Sequence, residues 1–268
     1  MKRQDVILVG IILALIIGGV SLFSWNTAPT KDIVKKENIV ILESNQNMVT
    51  NEFKIFSDFI YDIGPRFGAI KKSEIEKITS INGFLNKETI QNIVNVKSTS
   101  FIILKNDEPS EMTIDGKSAT FNKAQLKFIK SIHYSTNFAL RVEYEEKEPK
   151  SGYISDNYSS PYLTIVPEQQ AKYSEGIDAL KLFLKESCQT VLIGVDPEKL
   201  KPAKLYFTVT KDGAVENISL DRDSGYPNVD KKMIELIKET PEKWIPAKNM
   251  DGENVDQELV VSFGLMGC

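Results

Sequence analysis

The chain has 268 residues, of which 41% are hydrophobic and 26% are charged, and its formal net charge is −4. A chain of this composition can bury a core, which excludes an intrinsically disordered protein. Beyond the N-terminus no dense cluster of Lys and Arg occurs, which argues against a nucleic-acid-binding protein.

The first predicted element is an apolar run at Val6–Phe23, about 18 residues without a charge, which as a helix would span ~27 Å. Because Lys2 and Arg3 precede it, we expect the N-terminus to stay cytoplasmic and the rest to be exported. A cleaved signal peptide is the alternative, but the run exceeds a usual signal-peptide core of about 7–15 residues. The sequence therefore predicts a single-pass inner-membrane protein, with residues 1–25 as cytoplasmic tip and anchor and 26–48 as a tether.

Residues 49–167 are predicted to form an α+β periplasmic module. Apolar residues at helical spacing, with capping residues before most of them, predict four helices that begin near Phe53, Ser73, Asn86 and Asn122. The first of these is expected to end at Gly64-Pro65, and the third to carry Ile93 and Val94. Strands are predicted by alternation or by short apolar runs, at residues 100–104, 112–114, 138–144 and 162–166.

Residues 168–268 have a clearer order of elements. A helix follows Tyr173, with Ser174 as its predicted cap, and the alternating strand Leu205–Val209 leads into a turn at Gly213 and a second strand. A second helix is predicted to be capped by Asn228 and to bury one apolar face, made of Val229, Met233, Leu236 and Ile237. A last strand is predicted at residues 255–263.

Several spaced motifs in this region are specific enough to suggest a family. They are the helix from Tyr173 with its Gly, Ala-Leu and Phe, the turn glycine Gly213, the segment Ser224-Gly-Tyr-Pro227, the segment Trp244-Ile-Pro-Ala247, and Asp251-Gly252 before the last strand. Over about residues 173–264 the chain resembles the TonB C-terminal domain family, of the Bacteroidetes type. The resemblance implies an antiparallel sheet packed on helices, and with the preceding module it makes the predicted fold α+β.

The resemblance also implies which residues have which roles. In the family an exposed strand edge pairs with a short extended peptide of an outer-membrane transporter, so that backbone groups provide the affinity. Structural roles are implied for Gly213, Trp244, Pro246 and Gly252. Partner-binding roles are implied for the loop Ser224, Gly225, Tyr226, Pro227 and Asn228, and for the final strand Asp256, Gln257, Glu258, Leu259, Val260, Val261, Ser262 and Phe263.

Two functions follow, and the sequence leaves both open. A family energy transducer would bind proton-driven motor proteins in the inner membrane and pass energy to an outer-membrane transporter. The span Val6–Phe23 contains no ionisable residue, however, and such a residue is the expected mark of coupling to a proton path. A periplasmic docking protein that binds another envelope protein without energy is the alternative. The last strand could also be an edge within a homodimer.

An enzyme is disfavoured, because the single histidine, His133, has no catalytic neighbours in sequence and no nucleophile or P-loop motif is present. We predict no catalytic residue, no cofactor and no metal site. Asp221-Arg-Asp223-Ser-Gly225 looks like a Ca²⁺ loop, but Lys232 stands where its bidentate Glu should be, which indicates a polar turn. Cys188 and Cys268 could form a disulfide in an oxidising compartment or remain two thiols.

Overall fold

The structure is a computed structural model that describes residues 59–240 and 243–265. The predicted anchor and tether, and the predicted partner of Cys188 at Cys268, lie outside these residues. Within the described ranges, none of the helices is both long enough and apolar enough to cross a membrane. The described chain is α+β, with mainly antiparallel sheets and few helices.

Strand β1 (Phe59–Gly64) opens the described chain, and a six-stranded sheet follows it. That sheet has the order β2-β7-β5-β3-β4, with β6 paired to β5, and all pairs except β2 with β7 are antiparallel. Its strands are β2 (Gly68–Lys71), β3 (Ile93–Lys105), β4 (Glu108–Gly116), β5 (Asn137–Lys147), β6 (Ile154–Ser159) and β7 (Tyr162–Val166). Its helices are α1 (Lys72–Ile75), α2 (Lys87–Asn92) and α3 (Lys123–Ser131), with a 3-10 turn at Ile81–Gly83.

Two predicted caps in this half are confirmed. Asn86 accepts the backbone N–H of Thr89 at 2.8 Å and begins α2, and Asn122 forms a complete capping box with Gln125 at the start of α3. Each side chain satisfies an N–H group that the first helical turn leaves without a partner, which fixes where the helix begins.

The core of this half is aromatic. Phe101, on β3, is fully buried and its ring lies 5.1 Å from that of Phe121 and 5.5 Å from that of Phe128, measured between centroids. Phe84 and Phe138 complete the cluster, each 5.9 Å from Phe101. These offset and edge-to-face contacts add to the area that each ring buries, so this half has its own well-packed core.

The C-terminal half is built on a four-stranded antiparallel sheet in the order β1-β14-β9-β10. Helix α4 (Ile177–Leu192) and helix α5 (Pro227–Lys238) share one hydrophobic core with one face of this sheet. The remaining elements are β8 (Lys172–Tyr173), a 3-10 turn at Pro197–Lys199, β9 (Ala203–Val209), β10 (Val215–Arg222), β11 (Trp244–Ile245), β12 (Ala247–Lys248), β13 (Asn254–Val255) and β14 (Gln257–Leu265).

The apolar face predicted for α5 is confirmed: Val229, Met233, Leu236 and Ile237 are all at most 1% exposed. The alternation predicted for β9 is confirmed as well, since Leu205, Phe207 and Val209 are fully buried while the residues between them are half-buried. The helical spacing in α5 and the alternation in β9 therefore both place apolar side chains in the same core, as the sequence pattern predicts.

Several local predictions are wrong. The predicted helix after Phe53 does not include residues 59–64, which form strand β1, and β3 begins at Ile93 and Val94, where a helix was expected. Ser73 does not cap α1, because it lies inside the helix and Lys71 holds the N-cap position; the backbone N–H of Ser73 donates to the carboxylate of Glu168 at 3.1 Å. Ser174 and Asn228 do not cap α4 and α5 either, since Gly176 and Tyr226 hold those positions.

The division at residue 167 is also incomplete. Strand β1 was assigned to the first module, but it pairs with β14 and its Phe59 and Tyr61 are buried in the C-terminal core. The C-terminal sheet is therefore assembled from both ends of the described chain.

Candidate strand-accepting site

The last strand, β14, is the feature on which the predicted function depends. It pairs with β9 from Gln257↔Val209 to Phe263↔Ala203, and on its other edge with β1 from Gly64↔Val260 to Phe59↔Leu265. The prediction that this strand presents a free edge is therefore wrong, because β1 of the same chain occupies that edge. Asp256 lies just before the strand, and its carboxylate accepts the N–H of Lys211 at 2.7 Å.

Strand β1 fills this edge as a regular antiparallel partner without a bulge. Phe59 and Tyr61 are each 6% exposed and point into the helix-covered core, where their rings lie 5.0 Å apart. Ile63 packs against the same core, whereas Ile60 and Asp62 face outward. The edge of β14 thus offers three apolar subsites at alternate positions of an incoming strand.

The two outer strands of this sheet differ as templates for further pairing. The ladder between β10 and β9 is interrupted twice, between Glu216 and Ser219 and between Leu220 and Arg222, and Asn217 has a φ of 52°. Bulges and charged side chains of this kind protect an edge strand from pairing with another chain. The ladder between β1 and β14, on the other side of the sheet, has no such irregularity.

The buried polar residue of β14 has its hydrogen bonds within the chain. Gln257 is 1% exposed, yet its Oε1 accepts the N–H of Ala171 at 2.7 Å and its Nε2 donates to Gln170 at 3.1 Å. Gln257 therefore fixes the segment before β8 to the start of the last strand.

The loop Ser224–Asn228 is placed near the other end of β14, with one segment between them. The N–H of Lys201 donates to the carbonyl of Ser224 at 2.9 Å, and a Cβ on Gly264 would lie 2.8 Å from the carbonyl oxygen of Lys201. Within the loop, Ser224 is buried and its N–H donates to Asp230 at 3.0 Å. Tyr226 hydrogen bonds the backbone of Asp196 through its hydroxyl, so the loop is held rigidly against the 3-10 turn.

Three of the four residues with predicted structural roles meet at the turn between β9 and β10. The ring of Trp244 lies 5.2 Å from Phe207 beneath the sheet, and its Nε1 donates to Thr240 at 3.0 Å. Gly213 has a φ of 83° and faces the carbonyl of Trp244, and Pro246 lies on the same side. Gly252, with a φ of 79°, makes the turn between β12 and β13.

Replacing Gly213 with Ala is expected to destabilise the protein more than replacing Gly252. Both residues need a positive φ, which costs a non-glycine residue about 1–2 kcal/mol. Only at Gly213 would the new Cβ also lie 2.8 Å from a backbone oxygen, that of Trp244, while nothing lies within 4 Å at Gly252. Urea unfolding of both variants should show the larger loss for Gly213→Ala, and equal losses would contradict the contact with Trp244.

A buried arginine joins the two halves of the chain, and no sequence pattern pointed to it. Arg66 follows β1, its side chain is 2% exposed, and it forms an ion pair with Asp107 in the turn between β3 and β4. Its Nη2 also lies 3.6 Å from a carboxylate oxygen of Asp221 on β10. The guanidinium carbon stands 5.5 Å from the ring centroid of Phe67 and 5.4 Å from that of Tyr206. Arg66 therefore binds both sheets.

The surroundings of Arg66 are strongly desolvated. Burial lowers the pKa of Arg66 and of the neighbouring Lys204, and burial raises the pKa of Glu258 on β14 against the opposing effect of Arg66. The backbone N–H of Glu258 donates to the hydroxyl of Ser135, in the first half, at 2.9 Å. The hydrogen bond from Glu258 therefore ties the start of β14 to the first half of the chain.

Beneath β1 lies a second buried polar pair, Tyr61 and Cys188. Among the residues that the structure describes, the hydroxyl of Tyr61 has no hydrogen-bond partner of normal geometry, and its polar neighbour is the thiol of Cys188, a weak acceptor. Burial raises the pKa of both groups. The Cys188 sulfur lies 3.4 Å from that of Met233, inside the core.

A groove of about 450 Å³ lies in the first half, beside the part of β3 that β4 does not reach. Apolar residues Ile81, Ile90 and Val94 contribute to its lining, with Lys117 as the charged group, and the lining contains no histidine, cysteine or carboxylate. The groove therefore lacks the acid–base pair that a hydrolytic or proton-transfer site needs.

Comparison of the chain with protein-family models, with curated proteins and with solved structures gave no match.

Proposed function

We propose that this chain is a membrane-anchored periplasmic protein whose C-terminal half binds a partner by strand addition on the β1–β14 side of its four-stranded sheet. In this mode the unpaired backbone groups of a strand edge supply affinity, and pockets for alternate side chains supply selectivity. The partner would be an extended segment of another envelope protein. The resemblance to TonB C-terminal domains suggests an outer-membrane transporter.

The observation that carries this proposal is the pairing of β1 with β14. A six-residue strand from the opposite end of the described chain lies along β14 in unbroken register, so this edge is shaped to accept a strand. The other side of the sheet is protected by the two irregularities of β10. The order helix, hairpin, helix and last strand agrees with the order that the resemblance implies and supports the same proposal.

Photocrosslinking in cells tests strand addition. A photoreactive amino acid at Ser262, on β14, is expected to capture the partner, because Ser262 lies directly opposite Asp62 of β1. The matched control is Ser219, an exposed residue of the protected strand β10. Equal capture from both positions would contradict a specific edge, and capture of only a second copy of the chain would replace the proposal with a homodimer.

Two versions of this function differ in the use of energy. The lack of an ionisable residue in Val6–Phe23 favours a docking protein over an energy transducer coupled to proton-driven motor proteins. Exchange of this segment for an unrelated apolar span separates them. Transport that depends on the partner should stop if the anchor transmits energy, and it should continue unchanged if the protein only docks.

A further inference from the structure

Strand β1 fits its place beside β14 well in shape but poorly in polarity. The side chain of Tyr61 is buried, and within the described ranges the polar neighbour of its hydroxyl is the Cys188 thiol, a weak acceptor that leaves the hydroxyl without a hydrogen bond of normal geometry. Burying a polar group without a partner is unfavourable, whereas an apolar group of the same shape would bind without this penalty. β1 is therefore held less firmly than a strand with three apolar side chains would be.

The C-terminal end of β1 is held by a buried side chain. Gly64 and Pro65 connect this end to Arg66, which is buried between both sheets. The only ion pair of the β1 side chains in the described ranges is an exposed one, 3.7 Å between Asp62 and Lys181, which adds little. Gly64 is therefore the point at which the strand can pivot when it leaves β14, with Arg66 staying in place.

We infer that β1 is a resident strand that a partner segment replaces beside β14. This inference rests on the proposed function and adds to it the chemistry and the regulation of the site. The segment that fits is extended, antiparallel to β14, and carries large apolar side chains at three alternate positions, which take the places of Phe59, Tyr61 and Ile63. A leucine, isoleucine or phenylalanine at the middle position binds better than tyrosine.

Competition with β1 sets the affinity of the site. Because the partner binds only when β1 has left, its apparent dissociation constant rises in proportion to the equilibrium constant for docking of β1. A substitution that stabilises the docking of β1 weakens partner binding, and a substitution that destabilises the docking of β1 strengthens partner binding. This relation distinguishes exchange from addition of a strand on the outer side of β1.

The test uses the full chain and a labelled peptide with the sequence of residues 57–66. A reversible lock is made by Asp62→Cys with Ser262→Cys, two positions directly opposite each other in the ladder, in a Cys268→Ser background. Opposite residues of an antiparallel pair have the Cα separation that a disulfide needs. Fluorescence anisotropy is measured with the lock oxidised and reduced. We expect peptide binding to be lost on oxidation and restored on reduction.

Two single substitutions in the chain give graded results. Tyr61→Ala removes a buried ring from β1 and is expected to tighten peptide binding at least about tenfold. Tyr61→Phe removes only the unpaired hydroxyl and is expected to weaken peptide binding about fivefold to tenfold. The opposite signs are informative because Tyr61→Phe cannot act by unfolding the protein.

The outcomes separate the inference from the function on which it rests. Equal peptide binding by the oxidised and reduced lock, or no change in either Tyr61 variant, would overturn exchange and leave strand addition on the outer side of β1. If no form of the chain binds the peptide and Ser262 captures no partner in cells, strand addition itself is wrong.

Discussion

Replacing Arg66 with Ala is expected to lower the free energy of unfolding by about 3–5 kcal/mol. Arg66 is 2% exposed, and its partners Asp107 and Asp221 are 23% and 18% exposed, so removal of the guanidinium leaves two shielded carboxylates without their cation. Breaking a buried ion pair from one side costs this much because the remaining charge is neither solvated nor paired. Urea unfolding monitored by circular dichroism measures the loss.

Arg141→Ala is the matched control. Arg141 also pairs with a carboxylate, that of Glu143 at 3.0 Å, and stands 4.7 Å from the ring of Tyr158, but its side chain is 45% exposed. Because water and salt screen such a pair, we expect a loss below about 1 kcal/mol. Arg66→Lys should fall between the two, since Lys keeps the charge but cannot reproduce the planar stacking on Phe67 and Tyr206. Equal losses for Arg66→Ala and Arg141→Ala would show that the junction is not stabilised by its buried charges.

Replacing Trp244 with Ala is expected to cost about 3–5 kcal/mol, the range for deleting a large buried aromatic side chain. The indole packs against Phe207 and Tyr173, at centroid distances of 5.2 Å and 5.8 Å, and the backbone carbonyl of Trp244 faces the turn at Gly213. The loss should appear as a lower midpoint of urea unfolding.

Two variants divide the contribution of Trp244. Trp244→Phe keeps an aromatic ring but removes the N–H that donates to Thr240, so about 1 kcal/mol of the loss should remain. Ile245→Ala changes the neighbouring residue of the same short strand, which is exposed, and should cost little. A loss for Ile245→Ala as large as that for Trp244→Ala would mean that β11 itself, rather than the indole, stabilises the turn.

The sequence predicted those elements whose signals are local. The alternation in β9 and the apolar face of α5 identify their buried sides without further information, and Asn122 meets Gln125 only three residues away. Such patterns are decided by neighbours in sequence, so they can be recognised before any tertiary contact is known.

The errors concern elements whose partners are distant. Residues 59–64 contain apolar side chains whose spacing fits both a helix and an alternating strand. They form a strand because they pair with β14. Ser73 resembles a cap, but its N–H is taken by Glu168, 95 residues away. The burial of Arg66 could not be predicted, because a single arginine after a Gly-Pro turn does not indicate which distant carboxylates it contacts in the folded chain. The last strand was therefore predicted at nearly its observed position, but its pairing with β1 was not predicted.

The pairing of β1 with β14 also determines when the C-terminal sheet can form. A ribosome releases Phe59 about 200 residues before its partner Leu265, and contacts between such distant residues close slowly. Until β14 has been synthesised, β1 and β9 lack the strand that lies between them in the sheet. The C-terminal sheet can therefore be completed only after β14 has been synthesised, and a chain that stops short of β14 loses the central connection between its two outer parts rather than a dispensable end.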